Sequence, residues 1–297
     1  MSTKQKTLAF VGLGVMGYPM AGHLAKAGYK VKVFNRTASV AQKWIDELGP
    51  SSDCSMHESP ELAAREADVV LMCVGNDDDV RSVVYGDTGV LGGMKGGSVL
   101  VDHTTASQQL ALELAGQCDG KDIGFLDAPV SGGQAGAESG ALTIMVGGSQ
   151  RDYQKISPIL NAYAKKTELM GEVGCGQLTK MVNQICIAGI LEGLAEGLYF
   201  GQQAGLDVEK VVEVISKGAA QSWQMDNRSK TMAADEYEFG FAVDWMRKDL
   251  SIAISTAREV GASLPMASLV DQFYADIQKM GGGRWDTSSL LRRFTTG

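Results

Sequence analysis

"TLAFVGLGVMGYPMAGHLAKAG", residues 7–28, decides the fold. A short β-rich run leads into Gly12-Leu13-Gly14-Val15-Met16-Gly17, and a segment with helical spacing follows. In such a setting the first glycine permits a tight turn, the second lets the backbone approach a pyrophosphate, and the third lets helix pack close on strand. N–H groups at the start of the helix then face the diphosphate. Gly12, Leu13, Gly14, Val15, Met16 and Gly17 are therefore expected to contact a bound dinucleotide. A purely structural glycine turn is the competing reading.

The next β-rich run ends in "VKVFNRT", residues 31–37, where an NAD-binding chain usually places an acidic residue for the ribose 2′-hydroxyl. Here stand Asn35, Arg36 and Thr37. A carboxylate would repel a 2′-phosphate, whereas the planar guanidinium of Arg36 suits one, and Asn35 and Thr37 add neutral hydrogen-bonding groups. NADP(H) is favoured, and NAD(H) is possible if Arg36 only stacks on the adenine.

The rhythm continues through "DVVLMCV", "GSVLVDH", "GFLDAPV" and "LTIMVGG", with helical spacing between, as at Ala38 to Leu48 and Pro60 to Glu66. It predicts an α/β fold in which residues 1–170 form a Rossmann, doubly wound parallel sheet. Ligands then lie outside the carboxyl ends of the strands, which makes Val74 and Gly75 candidate cofactor contacts. After Met170 strand alternation stops, and a proline-free stretch has room for a helix of roughly eight turns. Residues 171–297 are expected to form an all-helical substrate and dimerisation domain, entered through that helix, with further helices near 208–217, 243–260 and 266–280. Glycines recur every fourth residue at Gly189, Gly193, Gly197, Gly201 and Gly205. Each interior glycine costs roughly 1 kcal/mol relative to alanine, so a close helix approach, within the chain or from a partner subunit, should offset it.

Composition narrows the function classes. Hydrophobic residues at 44% and charged residues at 21% are ordinary for a soluble globular chain of 297 residues. The net charge of −8 disfavours nucleic acid, and no apolar run is membrane-like. The N-terminal "MSTKQK" lacks the pattern of a secretion signal, so a cytoplasmic location is expected. Cys54, Cys73, Cys118, Cys175 and Cys186 are widely spaced, which predicts buried reduced thiols; with only three histidines, no metal site is expected.

Three further groups carry potential chemistry. The turn Ser131-Gly132-Gly133 could seat a small carboxylate on consecutive N–H groups, or simply connect two strands. Lys180 and Asn183 fall on one face of the long helix, although such a lysine is more commonly a surface residue with an extended stem. Lys248 and Asp249 in "WMRKDLSIA" could equally be an exposed helical charge pair. Trp223 and Phe241 are candidates for a pocket wall or for core packing.

The segments "FVGLGVMGYPMAGHLAKAGYKVKVFNRT", "DAPVSGGQAGAESGAL", "GCGQLTKMVNQ" and "WMRKDLSIA" together resemble, in order and spacing, the β-hydroxyacid dehydrogenase family, which includes the 3-hydroxyisobutyrate dehydrogenases, tartronate semialdehyde reductases and glyoxylate/succinic semialdehyde reductases. The resemblance spans nearly the whole chain. It implies reversible hydride transfer between a nicotinamide and a small carboxylate-bearing hydroxy acid or semialdehyde. It further implies that Lys180 transfers the proton, Asn183 positions the substrate, Ser131, Gly132 and Gly133 hold its carboxylate, and Thr105 and Lys248 lie near the nicotinamide. A homodimer or homotetramer is expected. Some members carry a second asparagine where this chain has Gln184, so the resemblance leaves the substrate open. The competing functions are an imine reductase-like enzyme, against which Lys180 argues, and a catalytically silent dinucleotide-binding scaffold.

Overall fold

Alternation along the strands sorts the sheet's side chains into two cores. Leu8, Phe10, Val31, Val33, Leu71 and Val101 join one apolar cluster, while Ala9, Val11, Val70, Met72 and Leu100 join another. A period of two sends successive side chains to opposite faces, so a sheet buried on both faces needs helices on both. The computed structural model describes residues 6–49 and 52–295 and shows that arrangement.

The first unit holds β1 (Thr7–Val11), α1 (Gly17–Lys26), β2 (Lys30–Phe34), α2 (Ala38–Leu48), β3 (Cys54–Met56), α3 (Pro60–Ala64), β4 (Val69–Met72), α4 (Asp77–Val84) and α5 (Val90–Gly93). It continues with β5 (Val99–Asp102), α6 (Gln108–Asp119), β6 (Gly124–Asp127), β7 (Val130–Ser131), α7 (Gly133–Glu138), β8 (Leu142–Gly148), α8 (Gln150–Leu160) and β9 (Ala164–Gly171). Strand order is β3-β2-β1-β4-β5-β6, all parallel, with the order reversing between β1 and β4. That switch point is where an open α/β sheet binds its ligand.

The parallel sheet carries one antiparallel extension. β8 runs antiparallel to β6 and to β7, and β9 then pairs parallel to β8. Between β6 and β8 the chain has only the two-residue β7 and the six-residue α7, too little helix to cover a parallel crossover. Gly147 and Gly148 sit at the β6–β8 pairing, and Gly148 has a φ of 144° that favours glycine.

The long helix α9 runs Cys175–Gln203, followed by α10 (Val208–Ile215), α11 (Trp223–Ala233), α12 (Val243–Val260), α13 (Pro265–Lys279), a 3₁₀ turn (Thr287–Leu291) and α14 (Arg292–Thr295). Chain contacts divide the molecule into two compact units at Lys180/Met181. The opening turn and a half of α9 therefore belongs with the sheet. The second unit packs Leu191, Leu194, Leu198, Met225, Met246, Leu250 and Tyr274 into its own core. The glycine ladder divides in two: a Cβ at Gly189 would press on Met266 and one at Gly201 on Val208, whereas Gly193 and Gly197 face open space. Gly205 lies beyond the helix with φ 73°, acting as its left-handed terminator.

Of the five cysteines, all unpaired thiols, Cys118 is buried and Cys186 is exposed on α9, so the expectation of uniformly buried thiols does not hold.

Candidate active site

The glycine loop separates structural glycines from one that leaves room. Gly12 has φ 93°, and a Cβ there would collide with the Cys73 carbonyl oxygen at the end of β4. A Cβ on Gly17 would collide with the Gly12 carbonyl oxygen. Gly14, by contrast, has nothing within 4 Å of its Cβ position. α1 begins directly after, with Met16 at its N-cap, no side chain capping it and no acidic residue in its first turn. An open approach to the backbone and an uncapped positive helix end fit a dinucleotide diphosphate.

Asn35 braces this loop. Its Oδ1 accepts the Leu13 N–H at 2.9 Å, and its Nδ2 donates to the Thr37 carbonyl at 3.0 Å. The Arg36 side chain is 87% exposed, with Nη1 donating to Oδ1 of Asp79 at 3.3 Å. Thr37 occupies the N-cap of α2 without its hydroxyl capping the helix.

The other strand ends are stitched together in sequence. After β4 the Val74 N–H donates to the Thr104 hydroxyl at 3.1 Å, which joins the loop of Val74 and Gly75 to the loop that follows β5. Thr104 in turn donates its N–H to Asp102 at 2.8 Å. The half-buried Thr105 comes next, and the Ala106 N–H donates to Gln177 Oε1 at 3.0 Å. Gln177 also donates through Nε2 to the Thr104 carbonyl at 2.7 Å. After β6 the buried Asp127 carboxylate accepts the N–H groups of Gly174 at 2.7 Å and Gln177 at 2.9 Å, capping the N-terminus of α9. Lys180, one turn beyond Gln177, is only 7% exposed. Among the described residues it is the one buried lysine, which sets aside the reading as a surface lysine.

Burial governs the titration of this region. It pushes the Asp102 carboxyl up to about 7 and the neighbouring His103 down to about 4. His103 sits between the Ala128 carbonyl at 2.6 Å and the Tyr163 hydroxyl at 2.9 Å. Burial also raises Asp127, against the backbone N–H groups that favour its charged form.

Ser131 ends β7, and the exposed turn that follows is one that glycine favours, with φ 132° at Gly132 and 60° at Gly133. A Cβ on Gly132 would press on the Leu142 side chain at 3.1 Å, whereas Gly133 has nothing within 4 Å of its Cβ position.

In the second unit a chain of polar contacts runs through a buried carboxylate. Asn183 Nδ2 donates to Gln184 Oε1 at 2.8 Å, and Gln184 Nε2 donates to Oδ2 of Asp249 at 2.7 Å. The Lys248 ammonium stands 3.1 Å from Oδ1 of Asp249, close enough to pair although off the line of a hydrogen bond. Gln184 and Asp249 are 2% and 3% exposed. The reading of Lys248 and Asp249 as an exposed charge pair is therefore wrong for Asp249, because α12 turns that residue onto Gln184 of α9. Lys248 also lies 5.7 Å over the Trp245 ring. Trp223 is half exposed with Arg228 stacked 4.9 Å from its centre, and Phe241 is half-buried.

Comparison with known proteins decides the family. Residues 7–172 match the NAD binding domain of 6-phosphogluconate dehydrogenase, and residues 174–294 match a domain described as NAD-binding of NADP-dependent 3-hydroxyisobutyrate dehydrogenase. The chain belongs to the β-hydroxyacid dehydrogenase family. It is 59% identical to an uncharacterized oxidoreductase of Shewanella frigidimarina over 96% of this chain and 97% of that one. It is 41% identical to a probable 3-hydroxyisobutyrate dehydrogenase-like protein of Arabidopsis thaliana, over 96% and 84%. A solved structure of Mycobacterium tuberculosis 3-hydroxyisobutyrate dehydrogenase with L-serine superposes with a TM-score of 0.87 at 28% identity, covering 97% and 99%. The protein is accordingly an NAD(P)-dependent oxidoreductase of the β-hydroxyacid dehydrogenase type, with the Rossmann sheet and helical C-terminal unit of that family.

Within this family frame, residue-by-residue reading of the sequence missed the supports. Asp127, Thr104 and Gln177 hold the strand ends and α9, and Gln184 and Asp249 hold Asn183 and Lys248. Asp127 and Asp249 each stand inside a motif already singled out, which was the available signal. Asp79 had none, since it meets Arg36 from 43 residues away.

Proposed function

We propose that the protein is an NADP(H)-preferring reductase of small semialdehyde or 2-oxo acids, reversible as a hydroxy acid dehydrogenase, with Lys180 as general acid and base. The observation that carries this reading is the buried Lys180, held one turn beyond a residue clamped to both the β5 loop and the β6 strand end.

When bound, the nicotinamide supplies or accepts the hydride at its C4. The rest falls to this chain. In reduction the Lys180 ammonium hydrogen-bonds the carbonyl oxygen, stabilises the negative charge that grows there, and hands it a proton; in oxidation the neutral amine takes that proton back. The exposed turn of Gly132 and Gly133 holds the substrate carboxylate with the Ser131 hydroxyl, and Gly133 has open space beside its backbone. The family resemblance assigns Asn183 to orienting the substrate, and Thr105 and Lys248 to the nicotinamide. Fixing the carboxylate at one point and the carbonyl oxygen at another removes the rotational freedom that would otherwise misalign hydride transfer. The Mycobacterium tuberculosis structure was obtained with L-serine, a small carboxylate-bearing molecule with a hydroxymethyl group.

Arg36 supports NADP(H): no carboxylate stands at the end of β2, and an exposed guanidinium does. A cytoplasmic homodimer or homotetramer fits the composition and the exposed Val182 and Phe200 on α9.

Initial rates at the NADPH absorbance band, with NADPH and NADH each against glyoxylate, succinic semialdehyde, tartronate semialdehyde and methylmalonate semialdehyde, test the assignment. Turnover with NADPH exceeding that with NADH supports it. NADH preference on every substrate overturns the cofactor assignment, and cofactor binding without turnover overturns the substrate class.

A further inference from the structure

The Arg36–Asp79 pair joins the loop after β2 to the first turn of α4, which follows β4, and both strands border β1. The two partners are unequally held. Asp79 sits in the first turn of α4, where its N–H donates to Oδ1 of the capping Asn76 at 2.9 Å and its carbonyl accepts the Ser82 hydroxyl at 2.7 Å. Its side chain is 30% exposed, and the positive end of the helix favours its charge. Arg36 has a braced backbone neighbour in Asn35 but a guanidinium that is 87% exposed. The carboxylate is the more buried partner, on a backbone held at both its N–H and its carbonyl, and the guanidinium is the more exposed one.

We infer that Asp79 is a specificity-determining residue for the cofactor: it competes with a 2′-phosphate for Arg36 and so limits how strongly NADP(H) is preferred over NAD(H). This rests on the reading of Arg36 as the 2′-phosphate ligand. A dianionic phosphate reaching Arg36 must displace the Asp79 carboxylate or share the guanidinium with it, and like charges at that distance repel. A 2′-hydroxyl meets no such repulsion. The chain thus carries both the cation that selects NADP(H) and, 3.3 Å away, the carboxylate missing from the end of β2, contributed by the first turn of α4.

Equilibrium titration of the purified full-length protein with NADPH and with NADH, read by calorimetry, tests this on Asp79→Asn, Asp78→Asn and Arg36→Ala. Asp78 supplies the control: its side chain is 98% exposed in the same helical turn, and it pairs with Arg81. Asp79→Asn should tighten NADPH about three- to tenfold in low salt and leave NADH within about twofold, an effect that shrinks at about 0.5 M NaCl because exposed charges are screened. Asp78→Asn should leave the ratio of the two affinities close to wild type. An unchanged ratio in Asp79→Asn, or an equal shift in Asp78→Asn, overturns the competition. If Arg36→Ala weakens NADPH while Asp79→Asn does nothing, the inference fails and the NADP(H) reading survives. If Arg36→Ala leaves NADPH binding unchanged, both fail together.

Discussion

The Asp127 carboxylate accepts the N–H of Gln177 at 2.9 Å, so the carboxyl end of β6 fixes the first turn of the helix that carries Lys180. The same carboxylate takes the Gly174 N–H at 2.7 Å, and its surroundings are so close that a Cβ on Gly176 would meet the Asp127 carbonyl oxygen at 2.6 Å. α9 therefore has one register available on the sheet. Replacing Asp127 by Ala leaves two buried N–H groups without an acceptor, which should cost about 2–4 kcal/mol in urea denaturation. It should also lower kcat tenfold or more, by roughly the penalty of a misplaced catalytic group. Asp127→Asn keeps an acceptor oxygen and should lose less of both. Equal losses in the two variants would contradict the capping role.

The glycine loop offers a sharper contrast. Gly12→Ala meets both a positive φ of 93° and the Cys73 carbonyl, and should destabilise the free protein by at least about 2 kcal/mol. Gly14→Ala adds a methyl group to open space, so its melting temperature without cofactor should match the wild type. Its affinity for the dinucleotide should nevertheless fall, because that space is where a diphosphate must approach the backbone. Thermal melts with and without NADPH distinguish the two, and a Gly14→Ala protein that binds cofactor normally would remove the loop from the binding site.

Asp102 and His103 set opposite pH dependences. Asp102 is raised from 3.8 to about 7, so its burial favours the folded state least once it must ionise: its contribution is full below about pH 4 and is lost as pH rises through about 7. His103 is lowered from 6.5 to about 4; its contribution is full above about pH 6.5 and is lost as pH falls toward 4. The two partly cancel in the window between. Asp102→Asn removes the first alone, so its stability relative to wild type should climb between pH 4 and 7 by up to about 4 kcal/mol and then level off. Denaturation curves across that range check it; a flat difference would mean that Asp102 is already ionised in the folded protein.

Much of the first unit is written in its sequence because each central strand is a buried apolar run between turn residues. β9, Ala164–Gly171, does not read as a buried apolar run because none of its residues is fully buried and Lys165, Lys166 and Glu168 are exposed and charged, as sheet edges often are. β3 and β7, at three and two residues, leave no periodicity to read, and α11 hides in a polar segment. Candidate site residues follow a similar rule. The glycine loop and the Ser131 turn are local features of the sequence, and spacing puts Lys180 on the long helix, whereas its burial depends on the fold. Gln184 and Asp249 meet across 65 residues, and nothing along the chain marks a charge as turned inward.

That inward charge can be tested directly. Asp249→Ala strands Gln184 and leaves Lys248 without its nearest carboxylate, which should cost about 2 kcal/mol, discounted from a fully buried pair because the Lys248 side chain is 21% exposed. Asp249→Asn should cost less, since its amide oxygen can still accept from Gln184. A Gln184→Ala, Asp249→Ala double-mutant cycle measured by urea denaturation should show the losses to be non-additive. Additive losses would mean that the two side chains act separately.

The central claim is proton transfer by Lys180, and chemical rescue of Lys180→Ala tests it most directly. With the semialdehyde that the wild type reduces fastest, kcat should fall about 10²- to 10⁴-fold while NADPH affinity stays within about twofold. Added small primary amines should restore part of the rate, with a rate constant that tracks amine pKa. Turnover near the wild-type level, or a loss that no amine repairs and that follows weakened NADPH binding, would contradict it.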